Sequence, residues 1–118
     1  MKTVKKFLIK YTVAAFMVLA ISVAYSQENK QVAKIFTSAQ CEMCKETIEK
    51  AINKLSGIIS AVLDVETKIV TVEYNGEETG IEEIRKAITY AGYDADSLAA
   101  VKKVYAKLPK CCKKPEDR

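Results

Sequence analysis

Apolar residues along this chain alternate between a two-residue and a three-to-four-residue spacing, and the changes of period mark out its elements. Val32 to Thr37 is rich in β-branched and aromatic residues and predicts a strand, with its inward register left open. From Cys44 the period lengthens. Cys44, Ile48, Ala51, Ile52 and Leu55 share one helical face, with Glu and Lys opposite. Ser56-Gly57 ends that helix, because glycine takes the left-handed conformation readily. Ile58 to Val65 reads as a strand with Ala61, Leu63 and Val65 on one side. Glu66-Thr67-Lys68 makes a turn, Ile69 to Tyr74 returns with Val70, Val72 and Tyr74 on one face, and Asn75-Gly76 closes it. Thr79-Gly80-Ile81-Glu82 has the form of a capping box. It opens a second helix whose stripe is Ile81, Ile84, Ala87, Ile88 and Ala91, and Gly92 stops it. Tyr93 to Asp96 predicts a short edge strand. The order βαββαβ is the split βαβ arrangement of ferredoxin-like sandwiches. The predicted class is therefore α+β, with both helical stripes buried on one face of an antiparallel sheet.

The two ends read differently. Lys2, Lys5, Lys6 and Lys10 precede an apolar run from Tyr11 to Ala24, and Ala24-Tyr25-Ser26 places small residues before Gln27. That is the pattern of a secretory signal peptide, residues 1–26, cut near Ser26/Gln27. A membrane anchor fits less well, since the run is shorter than the ~20 residues a spanning helix needs. At the other end Ser97 is placed to cap a helix with Leu98, Val101, Val104, Tyr105 and Leu108 on one face, ended by Pro109.

Charge follows the same division. The chain has 19 Lys+Arg against 15 Asp+Glu. Four of those lysines fall within residues 1–26, which hold no acid, so the net basicity belongs to the leader and gives no reason to expect nucleic-acid binding. In the rest of the chain, residues 27–100 carry 8 bases and 13 acids, and residues 101–118 carry 7 bases and 2 acids. A basic tail follows an acidic body, and a solvated end is the simplest expectation for it.

The four cysteines are Cys41, Cys44, Cys111 and Cys112, and histidine is absent. Cys41 falls in the loop after the first strand and Cys44 near the first helical turn, where unpaired amides and the positive helix end favour thiolate. Such a pair can be a redox couple, a staple or a soft-metal site. As a staple it constrains little, because the loop it closes is short. As a redox couple it lacks a nearby proline, Pro109 and Pro115 being the only two. As a metal site it suits Cu(I), Zn(II), Cd(II) or Hg(II). Zinc normally asks for four N or S ligands, which here requires all four cysteines. Glu42, Glu46 and Glu49 beside the pair are read as a solvated helix face, since no His or phosphate-cradling loop accompanies them.

The segments CEMC, LSGIISAVLDVETKIVTVEYN and IEEIRKAITYAGYDAD, in this order and spacing, resemble the heavy-metal-associated domain family over residues 32 to 98. The family includes bacterial copper chaperones, N-terminal domains of metal-pumping ATPases and exported mercury-binding proteins. The resemblance implies Cys41 and Cys44 as metal ligands, both expected at a loop edge outside the core, with Tyr93 and Met43 flanking the site. It also implies a soft metal ion, Cu(I) first with Hg(II), Zn(II) or Cd(II) as the others. The implied role is a non-catalytic, exported or periplasmic metal carrier. Its partner would be a metal-transporting membrane protein or another carrier, with no membrane anchor after cleavage and a monomeric state. Ser38-Ala39-Gln40 stands where the family commonly has Gly-Met-Thr, so the methionine beneath the loop is missing; Met43 could fill that space or offer a thioether, but a methionine exposed on the loop or tucked into the core is the simpler expectation.

The expected division is residues 1–26 signal peptide, 27–98 heavy-metal-associated domain and 99–118 a helical Cys-Cys tail. The competing function is a thiol–disulfide oxidoreductase using the same C-x-x-C. Two expectations stand for Cys111 and Cys112: an independent thiol pair on a disordered tail, or a helical tail that doubles back and brings both thiols to Cys41 and Cys44.

Overall fold

A computed structural model describes residues 29–118. The expected signal peptide, residues 1–26, and its expected cleavage site lie outside the described residues. Three strands, β1 (Lys30–Phe36), β2 (Ile58–Asp64) and β3 (Ile69–Asn75), form a sheet in the order β1-β3-β2 with both pairs antiparallel. Pairing settles the register of β1: Ile35 lies opposite Val70 and Ala33 opposite Val72, and all four are buried. Ala61 and Leu63 of β2 extend this face. Helix α1 (Glu42–Asn53) covers it with Cys44, Ile48 and Ile52, and α2 (Ile81–Tyr90) with Ile84 and Ile88. Fully burying an aliphatic side chain of this size contributes about 1.5–3 kcal/mol relative to exposure. Ile35, Ile48, Ile52, Val70, Val72, Ile84 and Ile88, all with no exposed surface, therefore dominate the cohesion of the two layers. The class is α+β with the ferredoxin-like arrangement.

Local chemistry fixes the connections. In the β2–β3 turn Asp64 Oδ1 accepts from Glu66 N at 2.9 Å and Lys68 N donates to Asp64 O at 2.7 Å, with Lys68 at φ 64°. After α1, Gly57 has φ 82° and lies so close to Glu78 that an added Cβ would sit 2.6 Å from the Glu78 Cβ. Thr79 does not cap α2: Gly80 occupies the N-cap in an extended conformation, and Thr79 N instead donates to Asn75 O at 3.2 Å. Glu49 is more than a solvated acid. It accepts from the free Leu63 N–H of edge strand β2 at 3.1 Å and pairs with Lys45.

The fourth strand is reduced to one bridge, Thr37 to Ala95. Phe36 N donates to Asp96 Oδ1 at 2.9 Å and Asp96 N donates back to Phe36 O at 2.8 Å. Asp96 itself has φ 51°, which turns the chain away after that single pair. The bridge still occupies the edge of β1, where the last strand of the expected order belongs.

The Ser97-capped helix is not formed. Ala95 and Leu98 exchange both backbone hydrogen bonds at 2.9 Å, and Ala100 N donates to Asp94 Oδ1 at 2.8 Å, so residues 97–100 are committed to a turn. Helix α3 spans only Lys102–Ala106, with Val101 at its N-cap donating to Thr89 O at 3.1 Å. Leu98, expected on the buried stripe, is exposed. Leu108 packs against the core, and Leu108 and Val104 lie over Gly92, where φ is 103° and an added Cβ would meet both at 3.2 Å. Two 3-10 turns, Lys110–Cys112 and Pro115–Asp117, complete the tail.

Candidate metal centre

The C-x-x-C spacing places its two thiols differently because α1 begins between them. Cys41 is the extended N-cap residue, φ −154°, and its carbonyl accepts the first helical bond from Lys45 N at 3.1 Å. Its side chain is half-buried at the surface. Cys44, one turn in, lies on the inward face with Ile48 and Ile52 and has no exposed surface. The expectation that both cysteines stand on a loop edge outside the core holds for Cys41 and fails for Cys44. Their sulfurs are 3.3 Å apart.

The helix start acts on Cys41 as its sequence position suggests. Burial pushes the Cys41 thiol up, but the Cys44 backbone N–H, the Cys44 thiol, the Met43 backbone N–H and the Cys112 thiol together outweigh it. The pKa falls from an ordinary 9.0 to about 7. Partial thiolate at neutral pH makes Cys41 a soft, nucleophilic donor at the surface.

Met43 does not fill the space beneath the loop. Its side chain is 52% exposed and its carbonyl accepts from Thr47 Oγ1 at 2.9 Å. The core at this end is completed instead by Ala39, Tyr93, Ala95 and Cys112. Tyr93 is 1% exposed, and its hydroxyl lies against the Cys44 and Cys112 thiols without a hydrogen bond of adequate geometry to either. Burial first, then the two thiols, raise its pKa far above the ordinary tyrosine value, so it stays a neutral donor.

The tail comes back. Cys112 Sγ is 3.9 Å from Cys41 Sγ and 3.9 Å from Cys111 Sγ, and the sulfurs of Cys41, Cys111 and Cys112 all lie within 4.8 Å of one another. Cys112 is buried and Cys111 exposed, so the adjacent thiols sit on opposite sides of the protein boundary. Burial above all, with Cys44 adding, pushes the Cys112 thiol well up. The tail lies against the body through turns and not a long helix, and it brings Cys111 and Cys112 to Cys41 without gathering all four sulfurs into one cluster.

Side chains that periodicity does not single out hold this arrangement. Lys114 Nζ pairs with Asp94 Oδ2 at 2.8 Å, so the basic tail is not simply a solvated end. Lys114 N donates to the Tyr105 hydroxyl at 3.0 Å, and that hydroxyl donates to Asp117. Asp94 N donates to Ser38 Oγ at 2.9 Å, tying the loop of Tyr93 to the residues before Cys41. The opposite charges of body and tail were the visible signal for Lys114–Asp94; nothing local marked Ser38.

Similarity to known proteins agrees with this site. Residues 38–94 match the heavy-metal-associated domain, a span that holds Cys41, Cys44 and Tyr93 and ends before the tail thiols. The copper chaperone CopZ of Staphylococcus epidermidis is 39% identical over 54 residues, which cover 46% of this chain and 79% of that protein. A copper-exporting P-type ATPase of Bacillus subtilis is 36% identical over 69 residues, 53% of this chain but only 9% of the ATPase. Among solved structures, oxidized MerP from Ralstonia metallidurans superposes with a TM-score of 0.55 at 26% identity, covering 57% of this chain and 94% of that one. With this match, this fold and a cysteine cluster at the start of its first helix, the chain belongs to the heavy-metal-associated domain family.

Proposed function

We propose that the protein carries a soft metal ion, Cu(I) as the first choice, on Cys41 and Cys44 and hands it on without catalysis. The observation that carries this reading is the pair itself: two sulfurs 3.3 Å apart at a helix start, one half-exposed with a pKa of about 7 and one buried beside it. A thiolate with low pKa takes the ion, and the second thiol closes on it with loss of its proton to water. An incoming thiolate from a partner then replaces one sulfur at a time. No electron moves, and the ion never needs to be free. The copper roles of the CopZ and ATPase relatives support Cu(I) as cargo, and the resemblance to exported mercury-binding proteins makes Hg(II) the next candidate. Zn(II) and Cd(II) share the preference for thiolate.

The partner on this reading is a metal-transporting membrane protein or a second carrier, met by a monomer. Export follows from the residues 1–26 pattern, with cleavage near Ser26/Gln27, and the periplasm is the compartment expected for it. No helix among the described residues is long and apolar enough to cross a membrane. The functional unit is residues 27–98, with residues 99–118 as an appendage.

Metal analysis of anaerobically purified protein, after competition among Cu(I), Zn(II), Cd(II) and Hg(II), tests the proposal. One tightly held Cu(I) per chain, removable by a dithiol, is expected. Turnover of insulin disulfides that persists in the presence of a chelator would overturn it in favour of thiol–disulfide exchange.

A further inference from the structure

Cys111 and Cys112 lie outside the residues that match the family, yet they end beside its cysteine pair. We infer that Cys41, Cys111 and Cys112 form a three-sulfur site that retains the soft ion while the tail is docked, with Cys41 shared between this site and the Cys41/Cys44 pair. The inference rests on the soft-metal reading above and adds to it a second coordination state.

Geometry is the first support. The three sulfurs form a triangle with two sides of 3.9 Å and a third no longer than 4.8 Å. A point equidistant from all three then lies no more than about 2.5 Å from each, close to the ~2.3 Å of a zinc–thiolate bond. Shifts of a few tenths of an ångström would close the triangle on an ion. The Cys41–Cys44 pair needs more. Its sulfurs are 3.3 Å apart, whereas an ion held linearly between two thiolates sets them about 4.6 Å apart by the same bond length. The tail thus offers a third sulfur at coordination distance where the helix-start pair alone must open.

Tyr93 supplies an independent observation. Its hydroxyl is buried, lacks a hydrogen-bond partner and lies against Cys112 and Cys44. A neutral thiol is a weak acceptor, but a metal-bound thiolate at Cys112 is a strong one, and metal binding deprotonates its ligands. The unmet donor of Tyr93 is satisfied when Cys112 coordinates.

Apart from Leu108 and Cys112, which pack into the core, the tail is held by ties outside the sandwich. Helix α3 has five residues, and the final turns are fastened to the body by Lys114 to Asp94, while Arg118 Nη2 to Cys111 O at 3.4 Å braces the tail within itself. Docked, the tail gives three sulfurs and shields the ion from small chelators. Released, it leaves Cys41 and Cys44 holding the ion at an open face. Passage to the open state exchanges the two tail thiolates, Cys111 and Cys112, for Cys44 around Cys41. Cys44 gives up one proton, the two departing thiolates take two, the second coming from water, and no redox change occurs. The site suits ions that accept three sulfurs, Cu(I) or Hg(II).

X-ray absorption on the protein loaded anaerobically with one equivalent of Cu(I) tests this directly. Three sulfurs per copper are expected, falling to two in the Cys111→Ser/Cys112→Ser variant. Because Cys112 is buried, a second measurement on the unaltered protein avoids any folding defect. Cys111 is exposed, so iodoacetamide should modify it readily without metal and at least tenfold more slowly with one equivalent of Cu(I). Two sulfurs in both proteins, or Cys111 modified at the metal-free rate with copper bound, overturns the three-sulfur site and leaves the two-cysteine carrier standing. Failure of the unaltered protein to hold Cu(I) at all overturns both.

Discussion

The two cysteine pairs of this molecule reach the same place by different means. Cys41 and Cys44 are set by a 12-residue helix whose inward face is buried in the sandwich, so Cys44 is anchored in the core and Cys41, at the surface, is the one free to open away from it. Cys111 and Cys112 arrive on a three-residue 3-10 turn, held against the body by Leu108 and Lys114. Only Cys112 of that second pair is buried. On the proposed reading, a pair anchored in the frame receives the ion, and a pair on side-chain ties modulates how long it stays. The sandwich is the part that must be stable; the tail is the part that can let go.

Unequal stability is the most direct way to break this comparison. Ile48→Ala removes a fully buried side chain of α1 and should lower the unfolding free energy by about 2–5 kcal/mol in chemical denaturation. Leu108→Ala, at a partly buried contact of the tail, should cost less and act chiefly on tail docking. Equal losses would mean that the tail is as much a part of the frame as α1. Gly92→Ala probes the seam between the two. Its φ of 103° and the 3.2 Å approach of Leu108 and Val104 to an added Cβ make alanine strained there. A loss of about 1–3 kcal/mol is expected, and an unchanged denaturation midpoint would show that the seam yields freely.

The smallest effect is electrostatic. Although burial pushes its carboxyl up, Asp94 is held below its ordinary pKa by the Lys114 ammonium and the Ala100 N–H. A depressed folded-state pKa contributes stability that is present above the unfolded value and lost as pH falls through the folded one. Tail docking should therefore weaken only below the ordinary carboxylate range, ~3.9 for aspartate. For so exposed a pair the contribution should stay within about 1 kcal/mol. The Ala100 and Lys114 amide resonances should titrate together in that acidic window and show no such titration in Asp94→Asn. A midpoint above the ordinary range would remove the ion pair from the account.

The two regions also differ in how much of them the sequence discloses. In the sandwich each element has a local cause. Alternation gave the strands, the Cys44–Ile48–Ile52 spacing gave the inward stripe of α1, and Gly57 and Gly92 take the positive φ expected where helices stop. Cys44 stood both on that stripe and in the expected loop-edge pair, and the stripe decided its burial. What failed locally failed where a neighbour competed. Asn75 O takes the Thr79 N–H and leaves Gly80 to begin α2, and Asp94 takes the Ala100 N–H and keeps Ser97 from starting a helix. The tail was harder to read because its position depends on contacts distant in sequence, Lys114 with Asp94 and Cys112 with Cys41, for which no periodicity exists. Composition carried only a trace of them, in the basic tail set against an acidic body.

The central claim is that the helix-start pair receives the ion. It is tested most directly by Cu(I) affinity in the Cys41→Ser/Cys44→Ser protein, which keeps both tail thiols, measured anaerobically against a chromophoric copper chelator. Loss of a residue that only supports a metal ligand typically costs about 10–100-fold in affinity, so removal of both ligands should cost at least ~100-fold. Circular dichroism should report a retained fold. Unchanged affinity in the folded double variant would contradict the account, because the ion would then be received by Cys111 and Cys112 alone.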